Sequence, residues 1–399
     1  MRTAVPGDQA RPLYVVWELT LACDLSCGHC GSRAGRPRTS ELSTEEALGV
    51  VRQLAELGTR EITLIGGEAY LRDDWTLIAQ AVVSHGMRAG LTSGGRGLDR
   101  ERALAAKRAG VDSVSISHDG LEAAHDRQRG VRGSFVAGLS ALAELRDAGV
   151  GFTVNTQLNR LSVPDLERLF DLLVTEGVQG WQVQLTVPMG RAADRPDWLL
   201  EPWELVDLYP RLAALATRGR EHGVVFWPAN NIGYYGPYEA LLRNRGSEGD
   251  RIWQGCPAGT YALGIESDGS IKGCPSLPTQ SYVGGNVRER SLRSIWDETR
   301  ELRYTRDRTL DELWGFCQSC YYRDECRAGC TWTAHSFFGR PGNNPYCHHR
   351  ALEHERLGVR ETFVQREAAP GLPFDHGRFE IAVVSAGAAT AVRHLPLVE

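Results

Sequence analysis

The sequence predicts an α/β protein in which an incomplete barrel of six βα units precedes a smaller cysteine-rich domain. Three observations carry this. Apolar, β-branched runs alternate with helical stretches from residue 13 to about 187, as right-handed βαβ units around a parallel sheet do. Six such units can be counted, fewer than the eight of a closed barrel. Seven of the ten cysteines then fall beyond Gly249, where the elements become short.

The expected strands are 14–17, 61–65, 88–92, 113–117, 151–155 and 181–187. Between them, 44–57, 75–85, 100–109, 135–148 and 163–176 place apolar residues at i, i+3, i+4, and Ser43 with Glu46 forms a capping box. After Met189-Gly190-Arg191 the alternation weakens into a Pro- and Trp-rich stretch (195–203), a helix at 205–222 and a polar-aromatic loop at 227–238. Later, 292–302 and 348–363 read as helices and 379–384 as a strand. The expected boundaries are a tail (1–12), the barrel (13–190), a bridge (191–249), the cysteine-rich domain (250–350), and a C-terminal helix and tail (351–399). Residues 368–399 carry no chemistry that the sequence names.

Apolar residues at 42% and charged residues at 24% describe an ordinary globular chain. A net charge of -5 gives no positive field for a phosphate backbone, which argues against nucleic-acid binding. The first twelve residues lack the apolar stretch of a signal peptide, and no run of apolar residues is long enough for a bilayer. A cytoplasmic location follows, with no membrane contact. In that compartment thiols stay reduced, so cysteines read as metal ligands or redox groups.

Cys23, Cys27 and Cys30 lie on the loop after the first strand. Three thiolates so spaced can reach one metal centre and leave a coordination position open, whereas a structural zinc site takes four. A partial zinc site or loose thiols are the plainer alternatives. Cys-x3-Cys-x2-Cys in this position resembles the signature of the radical S-adenosylmethionine superfamily. Gly66-Gly67-Glu68, at the end of the second strand, resembles that family's motif for the methionine amino group, although Ala69 replaces the usual proline. Thr92-Ser93-Gly94 lies where the family often has Thr-Asn-Gly. Ser115-Ile-Ser117-His-Asp119-Gly120, followed by His125-Asp126 and Arg129-Gly130, looks like the peptide-modifying branch.

The resemblance implies a partial (β/α)6 TIM-like barrel whose catalytic Cys23, Cys27 and Cys30 hold a [4Fe-4S] cluster that binds S-adenosyl-L-methionine. By the same likeness Gly66, Gly67 and Glu68 receive the amino group, Ser117 and Arg129 face the cofactor carboxylate, and Asn155 and Thr156 lie near the ribose. Substitutions at Gly67 and Glu68 are expected to weaken cofactor binding without loss of iron. Ligands at the C-terminal ends of parallel strands are also what such sheets offer without any family knowledge.

Cys256-x17-Cys274, Cys317-x2-Cys320-x5-Cys326-x3-Cys330 and Cys347 resemble the seven-cysteine SPASM extension, which binds two auxiliary iron-sulfur clusters. The likeness spans roughly residues 13–350. It assigns Cys317, Cys320, Cys326 and Cys347 to one [4Fe-4S] cluster and leaves Cys256, Cys274 and Cys330 for another, with one iron lacking a cysteine. A zinc ribbon is the plainer reading, but seven cysteines do not divide into closed four-ligand sites.

The resemblance further implies reductive cleavage of S-adenosylmethionine to a 5'-deoxyadenosyl radical. That radical takes hydrogen from a substrate, and the auxiliary clusters take up the electron left behind or bind the substrate. Oxidative crosslinking or dehydrogenation of a ribosomally made peptide or protein is the first expectation. Oxidation of a non-peptide substrate such as a tetrapyrrole side chain is the alternative, and non-catalytic electron transfer is a third class. A flavodoxin- or ferredoxin-type reductant is expected. With about a dozen residues before the first strand, any leader recognition falls to a separate protein or to the C-terminal tail. The stretches 227–238 and 337–346, with Gln182, Gln184 and Arg191, either line a substrate groove or pack at a domain junction.

Overall fold

In a run such as Glu-Ile-Thr-Leu-Ile every second side chain shares a face, and the protein uses one face for the core and the other for the barrel interior. The computed structural model describes residues 10–244 and 252–387. Its main sheet contains β1 (Tyr14–Glu18), β2 (Glu61–Ile65), β3 (Arg88–Ser93), β4 (Ser113–Ser117), β5 (Gly151–Leu158), β6 (Gly180–Leu185) and β7 (Val225–Pro228), then β8 (Ala262–Ile265), β9 (Ser270–Lys272) and β10 (Val283–Asn286). Strands β1 to β7 pair in sequence order and in parallel. Ile62, Leu64, Val114, Ile116, Val154, Trp181 and Val183 are fully buried on the outer face. Thr63, Thr92, Ser115, Ser117, Asn155, Gln182 and Gln184 alternate with such residues and are half-buried.

Helices α1 (Thr44–Glu56), α2 (Trp75–Ser84), α3 (Arg100–Arg108), α4 (Glu122–Arg129), α5 (Ser134–Ala148), α6 (Leu166–Thr175) and α7 (Leu205–Glu221) cover the outer face. Ser43 and Glu46 cap α1 reciprocally, at 3.2 Å and 2.7 Å. None of the helices among the described residues is long and apolar enough to cross a membrane.

All six expected strands are present, and the sheet extends beyond them at both ends. β7 adds a seventh parallel strand from the region read as a bridge. At the opposite edge β8 pairs in parallel with β1, and β9 and β10 continue antiparallel. The cysteine-rich region therefore extends the barrel's own sheet. Such short strands leave too little periodicity to read, but an unpaired β1 edge would expose a row of backbone donors and acceptors.

The helix expected over 348–363 ends instead at Arg356. Gly358 turns the chain at φ +68, and Val359–Glu367 forms β11, paired antiparallel with β12 (Arg378–Ser385). A left-handed glycine after a helix is a stop signal, and Val359, Thr362, Phe363 and Val364 favour a strand. Among the described residues, 359–385 thus add a strand pair after the helix, and β12 covers the strand expected at 379–384. The helix expected at 292–302 is two, Leu292–Glu298 and Arg300–Asp307, because Thr299 is extended (ψ 139). Residues 1–9 of the N-terminal tail, the boundary at 249–250, and residues 388–399 lie outside the described residues.

Candidate active site

The cysteine loop leaves β1 and is clamped from three sides. Ser26 N donates to Arg129 O (3.1 Å) and Gly28 N to Gln128 O (2.8 Å), at the end of α4. Arg191 Nε, past β6, donates to Cys27 O (2.7 Å) and its Nη2 to Ala34 O (3.1 Å). From β2, Gly67 N donates to Thr20 O (2.8 Å) and Glu68 N to Ala22 O (2.7 Å). A Cβ on Gly67 would lie 2.1 Å from Ala22 O and 2.7 Å from Cys23 Cβ, so the second glycine is a packing requirement of the cysteine loop itself. A side chain there would push on the loop that carries Cys23.

Cys23, Cys27 and Cys30 line a cavity of about 200 Å³ with Gly66, Gly67, Glu68, Ser117 and Arg129. Glu68 is buried, and its carboxylate accepts from Ser93 Oγ (2.8 Å) and Gly94 N (2.5 Å). Burial pushes its pKa up to about 7 despite those bonds, because desolvation disfavours the charged form. Burial likewise pushes Cys23 up to about 12 and raises Cys27. Buried thiols of this kind are stabilised as thiolates by a bound metal. Three thiols, one buried carboxylate and the Arg129 guanidinium around one cavity fit an iron-sulfur cluster with an amino-acid ligand on its open iron.

Ser117 and Asn155 are cross-strand neighbours on the half-buried inner face. Thr156, expected near the ribose, points the other way. Its Oγ1 donates to His118 O (2.6 Å) and accepts from Trp181 Nε1 (2.8 Å) in the buried layer, because successive strand residues face opposite sides. Gln182 and Gln184 share the inner face, whereas Arg191 braces the cysteine loop. Phe337, Tyr346 and Tyr234 are core residues with at most 1% exposure, so Phe337 and Tyr346 pack at the domain junction, while Tyr234 also lines a cavity with Cys317 and Cys326.

The seven later cysteines lie near one another in space. Cys317, Cys320, Cys326 and Cys347 line one cavity with Tyr235, Tyr322 and His349. The Cys330 thiol is raised by burial first and then by the charges of Cys256 and Cys274, and burial with Cys256 pushes Cys274 up to about 11. Cys256 and Cys274 also pack with Ala258, Leu277 and Tyr282 in one apolar cluster. Cys330 packs with Cys256, Cys326 and Cys347 in another apolar cluster.

Sequence reasoning assigned no role to His29 or Asp119. Asp119 is fully buried; its Oδ2 lies 2.6 Å from Arg129 Nη2 and 3.2 Å from His29 Nε2. The one available signal was an aspartate directly after a strand-end serine and histidine.

Residues 17–173 match the Radical SAM superfamily, and residues 256–321 match SPASM, described as an iron-sulfur cluster-binding domain. The AdoMet-dependent heme synthase of Nitratidesulfovibrio vulgaris is 30% identical over 88% of this chain and 95% of its own. The mycofactocin maturase MftC of Mycolicibacterium smegmatis is 30% identical over 87% of this chain and 86% of its own. Among solved structures, anSMEcpe with bound AdoMet and Cp18Cys peptide superposes at a TM-score of 0.67, with 16% identity over 86% of this chain and 95% of that one. This last likeness is one of fold. With 30% identity across nearly the full length of a relative, and family matches on both cysteine regions, the chain belongs to the radical SAM superfamily as an enzyme with an iron-sulfur SPASM domain.

Proposed function

We propose that this enzyme oxidatively modifies a ribosomally made peptide, joining or desaturating side chains. The observation that carries the reading is the inner face of the barrel beside the cysteine cavity, where Ser115, Asn155, Gln182 and Gln184 stand half-buried on adjacent strands. Amide and hydroxyl groups donate and accept in the pattern that peptide backbone requires. The heme synthase relative supports a second reading, a tetrapyrrole substrate.

In the proposal Cys23, Cys27 and Cys30 hold the first [4Fe-4S] cluster, and Cys256, Cys274 and Cys330 with Cys317, Cys320, Cys326 and Cys347 hold two more. Bound there, the first cluster supplies the electron for reductive cleavage of S-adenosylmethionine, which yields a radical able to take hydrogen from an unactivated C–H bond. Glu68 takes the ammonium of the methionine end, and Ser117 and Arg129 face its carboxylate. Asn155 stands on the ribose side. The barrel wall keeps water from the reacting carbon and fixes its approach. A flavodoxin- or ferredoxin-type protein in the cytoplasm would supply electrons, and a separate leader-binding protein would present the peptide.

The test is anaerobic turnover with S-adenosylmethionine and a reductant on two substrates, a short peptide encoded beside the enzyme's gene and iron-coproporphyrin III. A peptide product lighter by two hydrogens, with 5'-deoxyadenosine formed, is expected. Turnover of the tetrapyrrole with no change in the peptide would overturn the peptide reading.

A further inference from the structure

Behind the cysteine loop lies a buried chain of polar contacts that meets the proposed cofactor cavity only at Arg129. Arg129 is the last residue of α4, and Gly130 after it turns at φ +67. A Cβ on Gly130 would sit 2.5 Å from Ser26 O, so the end of α4 is pressed against the loop. There Arg129 Nη1 donates to Cys27 Sγ at 3.7 Å.

The guanidinium cannot leave this position freely, because Asp119 grips it from the other side. The carboxylate is itself immobilised. Its Oδ1 accepts from Gln157 N on β5 (2.8 Å), and Oδ2 lies 2.6 Å from Arg129 Nη2 and 3.2 Å from His29 Nε2. Around its backbone, Asp119 N donates to His125 Nδ1 (3.1 Å) and Gln128 Nε2 donates to Asp119 O (2.5 Å). His29 belongs to the cysteine loop, between Cys27 and Cys30. One carboxylate therefore ties strands β4 and β5, helix α4 and the cysteine loop together at a point of zero exposure.

Burial works against ionisation of Asp119, but Arg129 and then His29 outweigh it and hold the carboxyl well below its usual range. Asp119 is thus an anion whenever the fold is intact. N–H groups on a ligating sulfur stabilise the reduced, more negative form of an iron-sulfur cluster.

We propose that Asp119 is a positioning residue that holds the Arg129 guanidinium on the sulfur of Cys27, and that the pair raises the reduction potential of the cluster bound through that sulfur. The inference rests on the assignment of Cys23, Cys27 and Cys30 to one cluster. The carboxylate's own charge acts in the opposite sense, since an anion near the cluster disfavours the added electron. The sign of the Asp119 effect therefore separates a holder from a mere charge.

The experiment is a redox titration of the loaded enzyme without substrate or S-adenosylmethionine, following by electron paramagnetic resonance the signal that the Cys27→Ala variant lacks. Arg129→Gln and Asp119→Asn should each shift the reduction equilibrium about tenfold toward the oxidised state, about 59 mV for one electron. The double variant should go no lower than Arg129→Gln, because Asp119 acts through Arg129. A rise in potential in Asp119→Asn, or no shift in Arg129→Gln with normal iron, overturns the proposal. If Arg129→Gln fails to load, Arg129→Met replaces it. That side chain has neither donor nor charge, so a wild-type potential in that variant is equally fatal. Failure of the cluster assignment shows differently, as full iron content in Cys27→Ala.

Discussion

Glu68 shows at the scale of one residue how burial prepares a binding group. Its carboxyl is out of water, which raises its pKa to about 7, and Ser93 and Gly94 orient it; an ammonium bound beside it would shift it back to the ionised form. Glu68→Ala should weaken S-adenosylmethionine binding by roughly 1.5–3 kcal/mol, the worth of a hydrogen bond to a charged group, with iron content unchanged. Calorimetric titration of the loaded protein reads the first and iron analysis the second. Gly67→Val should differ by losing iron as well, because its side chain would push into Ala22 and Cys23. His118 gives a pH effect. Burial, helped by Arg129, lowers its pKa to about 4, so the folded state resists protonating it. That stability is present above about pH 6.5 and is lost as pH falls toward 4. Between pH 7.5 and 5 it amounts to about 2 kcal/mol. Urea unfolding of the cofactor-free protein should show a smaller fall for His118→Leu, which leaves no imidazole to protonate.

The alternation of single strands decides which residues can meet a ligand. In β5 the neighbours Asn155 and Thr156 face opposite layers, and Thr156 serves Trp181 and His118 in the packed layer. Thr156→Val should cost about 1–3 kcal/mol in denaturant unfolding, since a buried indole N–H and a carbonyl lose their partner. S-adenosylmethionine affinity should not change. The six long, regular strands were legible because each repeats apolar residues with period two between helices of period 3.6. The segments that escaped, β7 to β10, span three or four residues and owe their conformation to an open neighbouring edge. The strand β11 was hidden by the helix before it, because the apolar spacing continued past Gly358 and outweighed that glycine as a stop signal.

The barrel and the cysteine-rich domain share one sheet, and a buried set of charges joins them. Arg38 Nη2 lies 3.2 Å from Glu18 Oε1 and 2.9 Å from Glu266 Oε2, and Lys272 Nζ lies 2.7 Å from Glu266 Oε1. Glu266→Ala would leave two buried cations short of their partner and should cost roughly 3–5 kcal/mol, read from the unfolding midpoint. The whole enzyme should bind about twelve irons per chain by the proposed ligand count, and Cys347→Ala and Cys256→Ala should each remove about four. Zinc in place of iron in anaerobically purified protein would contradict that count.

The sequence by itself determined the alternating barrel, the loop position of the first three cysteines, and the presence of enough later cysteines for two more clusters. These are local facts, carried by periodicity and by spacing within short segments. Tertiary structure alone decided that Gly67 is packed on the cysteine loop and that Arg191 braces it. It also decided that Thr156 faces the core and that Asp119 meets His29 and Arg129. Apart from the local Asp119–Arg129 pair, those contacts join residues 44 to 164 positions apart or set one strand face against another, so they exist only after the sheet has closed around the loop.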